Sequence, residues 1–282
     1  MRLTIISTPI GYLGSGRGGG VELTLNSLVN GLLQQNHFIN VVAPINSQLS
    51  ESCLFANLFT VDGYEPKSWQ HQNYFTKTNI SNTSIINVMF EKALSLMKDC
   101  DAMINLSYDY LPISKTLEVD CPILHLISMG DESDEVSNII SKVYSNYPYN
   151  FAFHSRAQAS DFPFIKDPII LGNGFELSKY TFQEKNDGPL GWVGRVAPEK
   201  GLEDAVYVAS QLGESLNVWG FIEDKEYASK IENLYPSGQI CWKGYLQTKN
   251  LQQGLGQCRA LINTPKWNEA YGNVVVEAMA CG

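Results

Sequence analysis

The residues with most chemistry to offer lie near the end of the sequence, in TPKWNEAYGNVVVEAMACG, from Thr264 to Gly282. Two carboxylates, Glu269 and Glu277, flank the turn Ala270-Tyr271-Gly272-Asn273 and the apolar run Val274-Val275-Val276. Glu277-Ala278-Met279-Ala280 reads as helix, with Gly282 suited to its C-terminal cap. The apolar strand Ala260-Leu261-Ile262 comes just before. A strand, an acid-bearing loop and a helix start together make an anion-binding device, because the first backbone N–H groups of a helix lack internal partners. Asn273 and Val274 are placed to hold a phosphate, and Glu269 and Glu277 to hold hydroxyls on either side of it. A sugar nucleotide is a ligand with hydroxyls at both ends and phosphates between. A glycosidase pair fits poorly: eight residues of helix span ~12 Å, against the ~5 Å of a retaining pair. Taken alone, two acids at this spacing read as solvated side chains, so their partners upstream decide.

The first partners are in GWVGRVAPEKG, residues 191–201. Leu190-Gly191-Trp192-Val193 is a strand, and Leu202, Val206, Ala209 and Leu212 recur on one face of a helix. Arg195 leaves the strand end and Lys200 stands at the helix start. Two cations there repel each other and the positive helix end. A diphosphate resolves that conflict; so, less specifically, do water or neutralisation by Glu199.

A second anion device opens the chain. Leu3-Thr4-Ile5-Ile6 is a strand, TPIGYLGSGRGGGVE a long glycine-rich loop, and Val21, Leu25, Leu28 and Leu32 the face of a helix. Gly14, Gly16 and Gly19 spell GxGxxG. The dinucleotide fingerprint wants an acid about 20 residues on, at the end of the second strand. No acid lies between Glu22 and Glu51, and no Lys-Ser/Thr follows as a P-loop needs. What remains is a loop that closes over a ligand, or a mobile loop without one; three adjacent glycines, Gly18 to Gly20, sacrifice much chain entropy and favour the first.

Elements that must position these groups alternate along the chain. Strands are expected at 40–43, 54–61, 102–106, 122–127, 151–154, 169–171, 216–219 and 239–242, with helices marked by Ile86, Met89, Phe90, Ala93 and Met97, by Tyr227, Ile231 and Leu234, and by Leu251 and Leu255. Alternation predicts mostly parallel sheets, whose ligands bind beyond the strands' carboxyl ends. Asp109, Ser128 and Asp131 fall there in the first half. Asp109 reads equally as a functional acid or as a structural one. His125, inside an apolar strand, reads as a hydrogen-bonded structural residue. The expected division is an N-terminal domain over 1–175, a polar linker over 176–188 ending in Asp-Gly-Pro, and a C-terminal domain over 189–282.

Composition narrows the class. The chain has 282 residues, 44% of them hydrophobic and 17% charged, enough for two cores. Net charge is −9 and no Lys/Arg run exists, which argues against a nucleic-acid partner. No apolar run reaches the length of a membrane span, and no secretory signal opens the chain. Six cysteines without a CxxC suit reduced thiols in a cytoplasmic protein.

GRVAPEKG followed by EAYGNVVVEAMACG resembles the retaining glycosyltransferase family 4. GGGVELTLNSLVNGL, FAFHSRAQA and GNGFEL resemble further segments of that family in the same order, so the likeness runs through the whole chain. It implies the GT-B fold: α/β, two Rossmann-like doubly wound parallel-sheet domains facing across a cleft. It implies that Arg195 and Lys200 bind the donor diphosphate. Glu277 would hold the ribose hydroxyls, Glu269 those of the transferred sugar, and Gly19 and Gly20 would approach the diphosphate or the sugar. No metal and no cofactor are implied. STPIGYLGSGRGGGVELTL, YDYLP, HLISMG and TPKWNEAYGN resemble the family's pteridine glucosyltransferases, which implies UDP-glucose as co-substrate and a reduced pterin, tetrahydrobiopterin, as acceptor.

One departure stands out. Many members carry a His after the fifth strand that touches the reacting sugar. Counted from Pro122, that place is Ser128; His125 lies three residues earlier and by alternation points to the other face. Ser128 and Asp131 are the candidates to replace it. The family also continues beyond the helix carrying Glu277, so the expectation is a truncated second domain, marginally stable or inactive alone. Within the class the alternative is a family 4 glycosyltransferase with another small-molecule or glycan acceptor; a non-catalytic sugar-nucleotide-binding protein is the alternative from another class, and a dehydrogenase ranks behind it.

Overall fold

The computed structural model describes residues 1–78, 81–184, 187–235 and 238–282. The chain forms two compact units, Met1–Gly174 and Phe175–Gly282. Residues 185 and 186 of the expected linker lie outside the described residues; of the rest, Tyr180 belongs to the second unit, where its hydroxyl reaches Glu277.

In the first unit the strands are β1 (Arg2–Ile6), β2 (Phe38–Pro44), β3 (Asn57–Val61), β4 (Ala102–Asn105), β5 (Ile123–Ile127), β6 (Phe151–Phe153) and β7 (Ile169–Ile170). They form one parallel sheet in the order β3-β2-β1-β4-β5-β6-β7. Alternation along the strands sorts the core onto two faces. Leu3, Ile5 and Val41 join Leu25 and Val29 of helix α1 (Gly20–Gln34) on one side. Ile6, Val42 and Met103 join Met89 and Phe90 of α2 (Ile85–Ser95) on the other.

Three more helices follow in this unit: α3 (Tyr110–Lys115), α4 (Asp134–Tyr144), whose Val136, Ile139, Ile140 and Val143 form a buried stripe at helical spacing, and α5 (Arg156–Ala159). Each starts on a side-chain cap, Asp109, Ser133 and Ser155 respectively, accepting from a backbone N–H two or three residues on. For α3 and α5 these caps are the readable signal. The strand expected from Leu54 begins instead at Asn57. Before it, Glu51–Cys53 forms a short 3₁₀ turn, pinned as Asn26 accepts from the Ser50 N–H at 3.0 Å.

The second unit holds β8 (Leu190–Val193), β9 (Leu216–Trp219), β10 (Ile240–Gly244) and β11 (Ala260–Leu261), parallel in the order β10-β9-β8-β11. Helices α6 (Leu202–Leu212) and α7 (Lys225–Leu234) cover the face with Leu190, Trp192 and Val218. Leu251 and Leu255 of α8 (Thr248–Leu255) and Cys281 of α9 (Asn273–Cys281) pack with Trp219 on the other.

In each unit the chain reverses its direction of travel across the sheet once, between β1 and β4 and between β8 and β11. The carboxyl ends of those strand pairs are the topological switch points, where open α/β sheets bind ligands. Among the described residues no helix is long and apolar enough to cross a membrane.

Candidate active site

At the switch point of the second unit, two loops are laced together. The β8–α6 loop carries Arg195 and Lys200, and the β11–α9 loop carries Glu269. The Thr264 hydroxyl donates to the Gly201 carbonyl at 2.8 Å, and the Trp192 indole donates to the Thr264 hydroxyl at 3.3 Å. The Lys266 N–H donates to the Glu199 carbonyl at 2.8 Å. These bonds span sixty or more residues of sequence, so they fix the cations of one loop against the acid of the other.

The Lys200 ammonium donates to Glu269 Oε1 at 2.5 Å and lies 4.5 Å from the centroid of the Trp267 ring. The Trp267 indole donates to the same oxygen at 2.8 Å. Burial pushes the Lys200 pKa down, with Glu269 opposing that shift. Arg195 reaches Glu223 at 2.5 Å and Glu199 at 3.3 Å. The charge conflict expected of two cations is therefore met by three carboxylates. Two of them, Glu223 and Glu269, come from other loops. Glu223, absent from the sequence reading, lies 28 positions from its partner.

Asn273 and Val274 open α9, whose cap residue Gly272 is left-handed and whose start has no side-chain cap. That leaves a backbone-lined helix start at the loop carrying Glu269, the geometry that attracts phosphate. Glu277 sits one turn further on, about 6 Å along the axis. It is buried, accepts from the Tyr180 hydroxyl at 3.2 Å, and burial pushes its pKa up to about 7. Phe175 and Tyr271 stack at 6.3 Å.

The first unit has its own polar ends. Gly14, Gly16 and Gly19 all have left-handed backbones, with φ of 98°, 76° and 58°. Gly19 is the cap position of α1 and leads into Gly20. Beyond β4 and β5, Asp109 is buried and accepts from the Leu111 N–H at 3.2 Å. The Ser128 hydroxyl donates to the Leu106 carbonyl at 3.5 Å. Asp131 accepts from the Tyr74 and Ser137 hydroxyls, each at 3.2 Å. Burial raises both acids, Asp109 to about 6.

His125 is fully enclosed. Asn105 contacts its Nδ1 at 3.1 Å, the Thr116 hydroxyl its Nε2 at 2.8 Å, and Phe151 stacks on the ring at 5.0 Å. Burial lowers its pKa to about 3, so it is neutral and structural.

Asp109 as a cap carries a prediction. Asp109→Asn keeps an oxygen for the Leu111 N–H, whereas Asp109→Ala removes it, so the alanine variant is less stable than the asparagine variant by about 1 kcal/mol. The raised carboxyl adds a pH signature. Wild type is helped most below about pH 4, where the carboxyl is protonated, and loses that help as pH climbs through about 6. Urea unfolding at several pH values therefore shows Asp109→Asn gaining on wild type between pH 4 and 7.

Residues 178–282 match the model of the family "glycosyl transferases group 1". No curated protein matches the chain in sequence. Among solved structures, AviGT4, a glycosyltransferase involved in avilamycin A biosynthesis, is similar with a TM-score of 0.67 at 16% identity, covering 100% of this chain and 77% of that one. TarM is similar with a TM-score of 0.67 at 11% identity, over 99% of this chain and 83% of that one. A UDP-forming trehalose-phosphate synthase from Burkholderia xenovorans is similar with a TM-score of 0.60 at 12% identity, over 99% and 81%. At such identities the likeness speaks for the fold. The chain has the two-domain α/β fold of GT-B glycosyltransferases, and the unit with Arg195, Lys200 and Glu269 is the one that the group 1 family model covers.

Proposed function

We propose that the protein is a retaining glycosyltransferase of family 4 that moves glucose from UDP-glucose to a side-chain hydroxyl of a reduced pterin, with tetrahydrobiopterin as acceptor. The observation that carries the transferase reading is the convergence of Arg195, Lys200 and Glu269 on one switch point, followed at once by the start of α9. The donor and acceptor identities rest on the sequence resemblance. Three carboxylates now hold the two cations, and an arriving diphosphate exchanges for them. Glu269, released from Lys200, turns to the hydroxyls of the sugar.

In this reading Arg195, Lys200 and the backbone at Asn273 and Val274 neutralise the diphosphate, and Glu277 holds the ribose hydroxyls. Gly19 and Gly20 contact the diphosphate or the sugar. The bond between C1 and the phosphate oxygen breaks with oxocarbenium character. The acceptor hydroxyl enters on the same face, and its proton passes to the leaving phosphate, so no protein base is needed. Charge stabilisation by the two cations and the helix start does the work of a metal ion. Asp109, Ser128 and Asp131 are proposed on the acceptor side; each already has a protein partner, so each can contact the acceptor only with the groups left over or by exchanging that partner.

The test is mass spectrometry of products from a panel of sugar nucleotides with reduced pterins, and NMR of the anomeric proton. A glucosylated pterin with the donor's anomeric configuration is expected. Tight nucleotide binding with no product from any acceptor would select the non-catalytic reading instead.

Glu277 sets a pH dependence. Its carboxyl is protonated well below about pH 7 and ionised above it. An ionised carboxylate is the stronger acceptor for ribose hydroxyls. UDP affinity therefore tightens between pH 6 and 8 in calorimetry by several-fold more than ionisation of UDP's own terminal phosphate accounts for, and Glu277→Gln binds more weakly and keeps only the phosphate's share of the profile. A wild-type profile no steeper than that of Glu277→Gln would remove Glu277 from the ribose.

A further inference from the structure

The glycine-rich loop of the first unit already contains an anion. The Glu22 carboxylate, on the first turn of α1, turns back into the loop and accepts from the Gly14 N–H at 2.7 Å and the Gly18 N–H at 3.0 Å. The Ser15 hydroxyl donates to it at 3.3 Å. The side chain is buried; loss of water raises its pKa, and the amides of Gly14, Gly18 and Gly16 with the Ser15 hydroxyl counter part of that rise. A concave run of backbone N–H groups around an anion is the arrangement that phosphate loops offer to a ligand. Here a carboxylate of the same chain fills it.

The fit is close. A Cβ added at Gly18 would stand 3.0 Å from Glu22 Cγ, 3.0 Å from Thr8 Cγ2 and 3.2 Å from Glu22 Oε1. The outer part of the loop is tied separately: Glu65 accepts from the Gly11 N–H at 3.1 Å and pairs with Arg17 at 2.7 Å.

We propose that Glu22 is the resident anion of this loop and a positioning residue for the transfer: it holds Gly14 and Gly18, so their amides are closed to a ligand's phosphate, and it fixes the approach of Gly19 and Gly20 to the transferred sugar. The positioning role rests on the transferase reading; the holding role does not. A loop of this composition costs much chain entropy to order. Glu22 supplies the contacts that order it before any ligand arrives. In Glu22→Gln the uncharged amide has one oxygen in place of two and turns an NH₂ toward a donor, so the substitution opens the loop with little change in volume.

The experiment is hydrogen exchange, UDP titration and steady-state kinetics on the whole chain, wild type and two variants. In Glu22→Gln, exchange over residues 14–18 rises at least tenfold, the Kd for UDP stays within twofold, and kcat falls at least tenfold. Gly18→Ala, whose added Cβ crowds the Glu22 side chain at 3.0 Å, moves exchange and kcat in the same directions with Kd unchanged and covers the case in which Glu22→Gln fails to fold. Unchanged exchange in both variants overturns the holding role. UDP-induced shifts at the Gly14 and Gly18 amides of wild type, or a UDP affinity that falls in step with kcat, overturn it in favour of direct phosphate binding. Faster exchange with unchanged kcat overturns the positioning role alone. Wild type inactive with every donor sinks the transferase reading and the positioning role with it, and the exchange result then decides the holding role alone.

Discussion

If the protein is the transferase proposed above, Lys200→Ala and Arg195→Ala are each expected to lower kcat/KM for glycosyl transfer at least ~100-fold, which corresponds to about 3 kcal/mol of transition-state stabilisation. The size follows from where the charges sit. Both side chains are largely shielded from solvent, and Lys200 is pushed toward its neutral form by burial. In such a site a cation facing the developing negative charge of a leaving diphosphate acts with little screening. Removing Lys200 also takes the ammonium away from Glu269, which keeps the Trp267 indole as a donor and becomes a repulsive neighbour for phosphate. Arg195 differs in kind: its guanidinium holds Glu199 and Glu223 with separate nitrogens, a fork that a lysine does not reproduce. Arg195→Lys is therefore expected to recover less than half of the lost activation free energy. Initial rates of product formation by mass spectrometry, with thermal melts to show that each variant is folded, check all three. Wild-type rates in Lys200→Ala and Arg195→Ala would remove the diphosphate role from both residues.

The parts of this site differ in how legible they were, and the reason is physical. Trp192-Val193 running into Gly194-Arg195 is a local pattern, an apolar strand meeting a cationic loop, and β8 ends at Val193 as that pattern requires. The placement of Lys200 before α6 and of Asn273 at the start of α9 is likewise set by short-range periodicity. What was not legible is pairing at long range. Glu223 holds Arg195, Tyr180 meets Glu277 across 97 positions, and neither partner carries a local mark of its role. Helices α3 and α5, of six and four residues, are too short to show an apolar period and are marked only by the caps Asp109 and Ser155, whereas α4 is marked both by the Ser133 cap and by Val136, Ile139, Ile140 and Val143. Along the sequence Glu22 marks only one boundary of an acid-free stretch. Its use depends on four left-handed glycines, Gly11, Gly14, Gly16 and Gly19, folding the loop back over α1, and periodicity carries no trace of that.

Gly201→Ala, by contrast, adds a single methyl group in the second unit's site and is expected to destabilise the chain by about 3 kcal/mol. Gly201 caps α6 with a left-handed backbone, φ 63°. An L-residue there costs about 1–2 kcal/mol from its own sterics. The added Cβ would also stand 2.0 Å from the Thr264 carbonyl oxygen, a backbone atom that cannot rotate away. Forcing that overlap apart costs a further ~1–3 kcal/mol. The two contributions can be separated within the same helix. Gly213, at the other end of α6, has φ 67° and nothing within 4 Å of an added Cβ. Gly213→Ala thus reports the left-handed cost alone, and the difference between the two variants in urea unfolding reports the contact with Thr264. The relief of that contact has a direction. It moves the β11–α9 loop away from the β8–α6 loop, lengthening the Thr264–Gly201 hydrogen bond and pulling Glu269 and Trp267 off Lys200. Gly201→Ala should therefore weaken UDP binding under conditions where it is still fully folded, while Gly213→Ala leaves binding unchanged. Equal destabilisation by the two alanines would show that the Thr264 loop yields freely, and that the lacing of the two loops is not what holds Glu269 against Lys200.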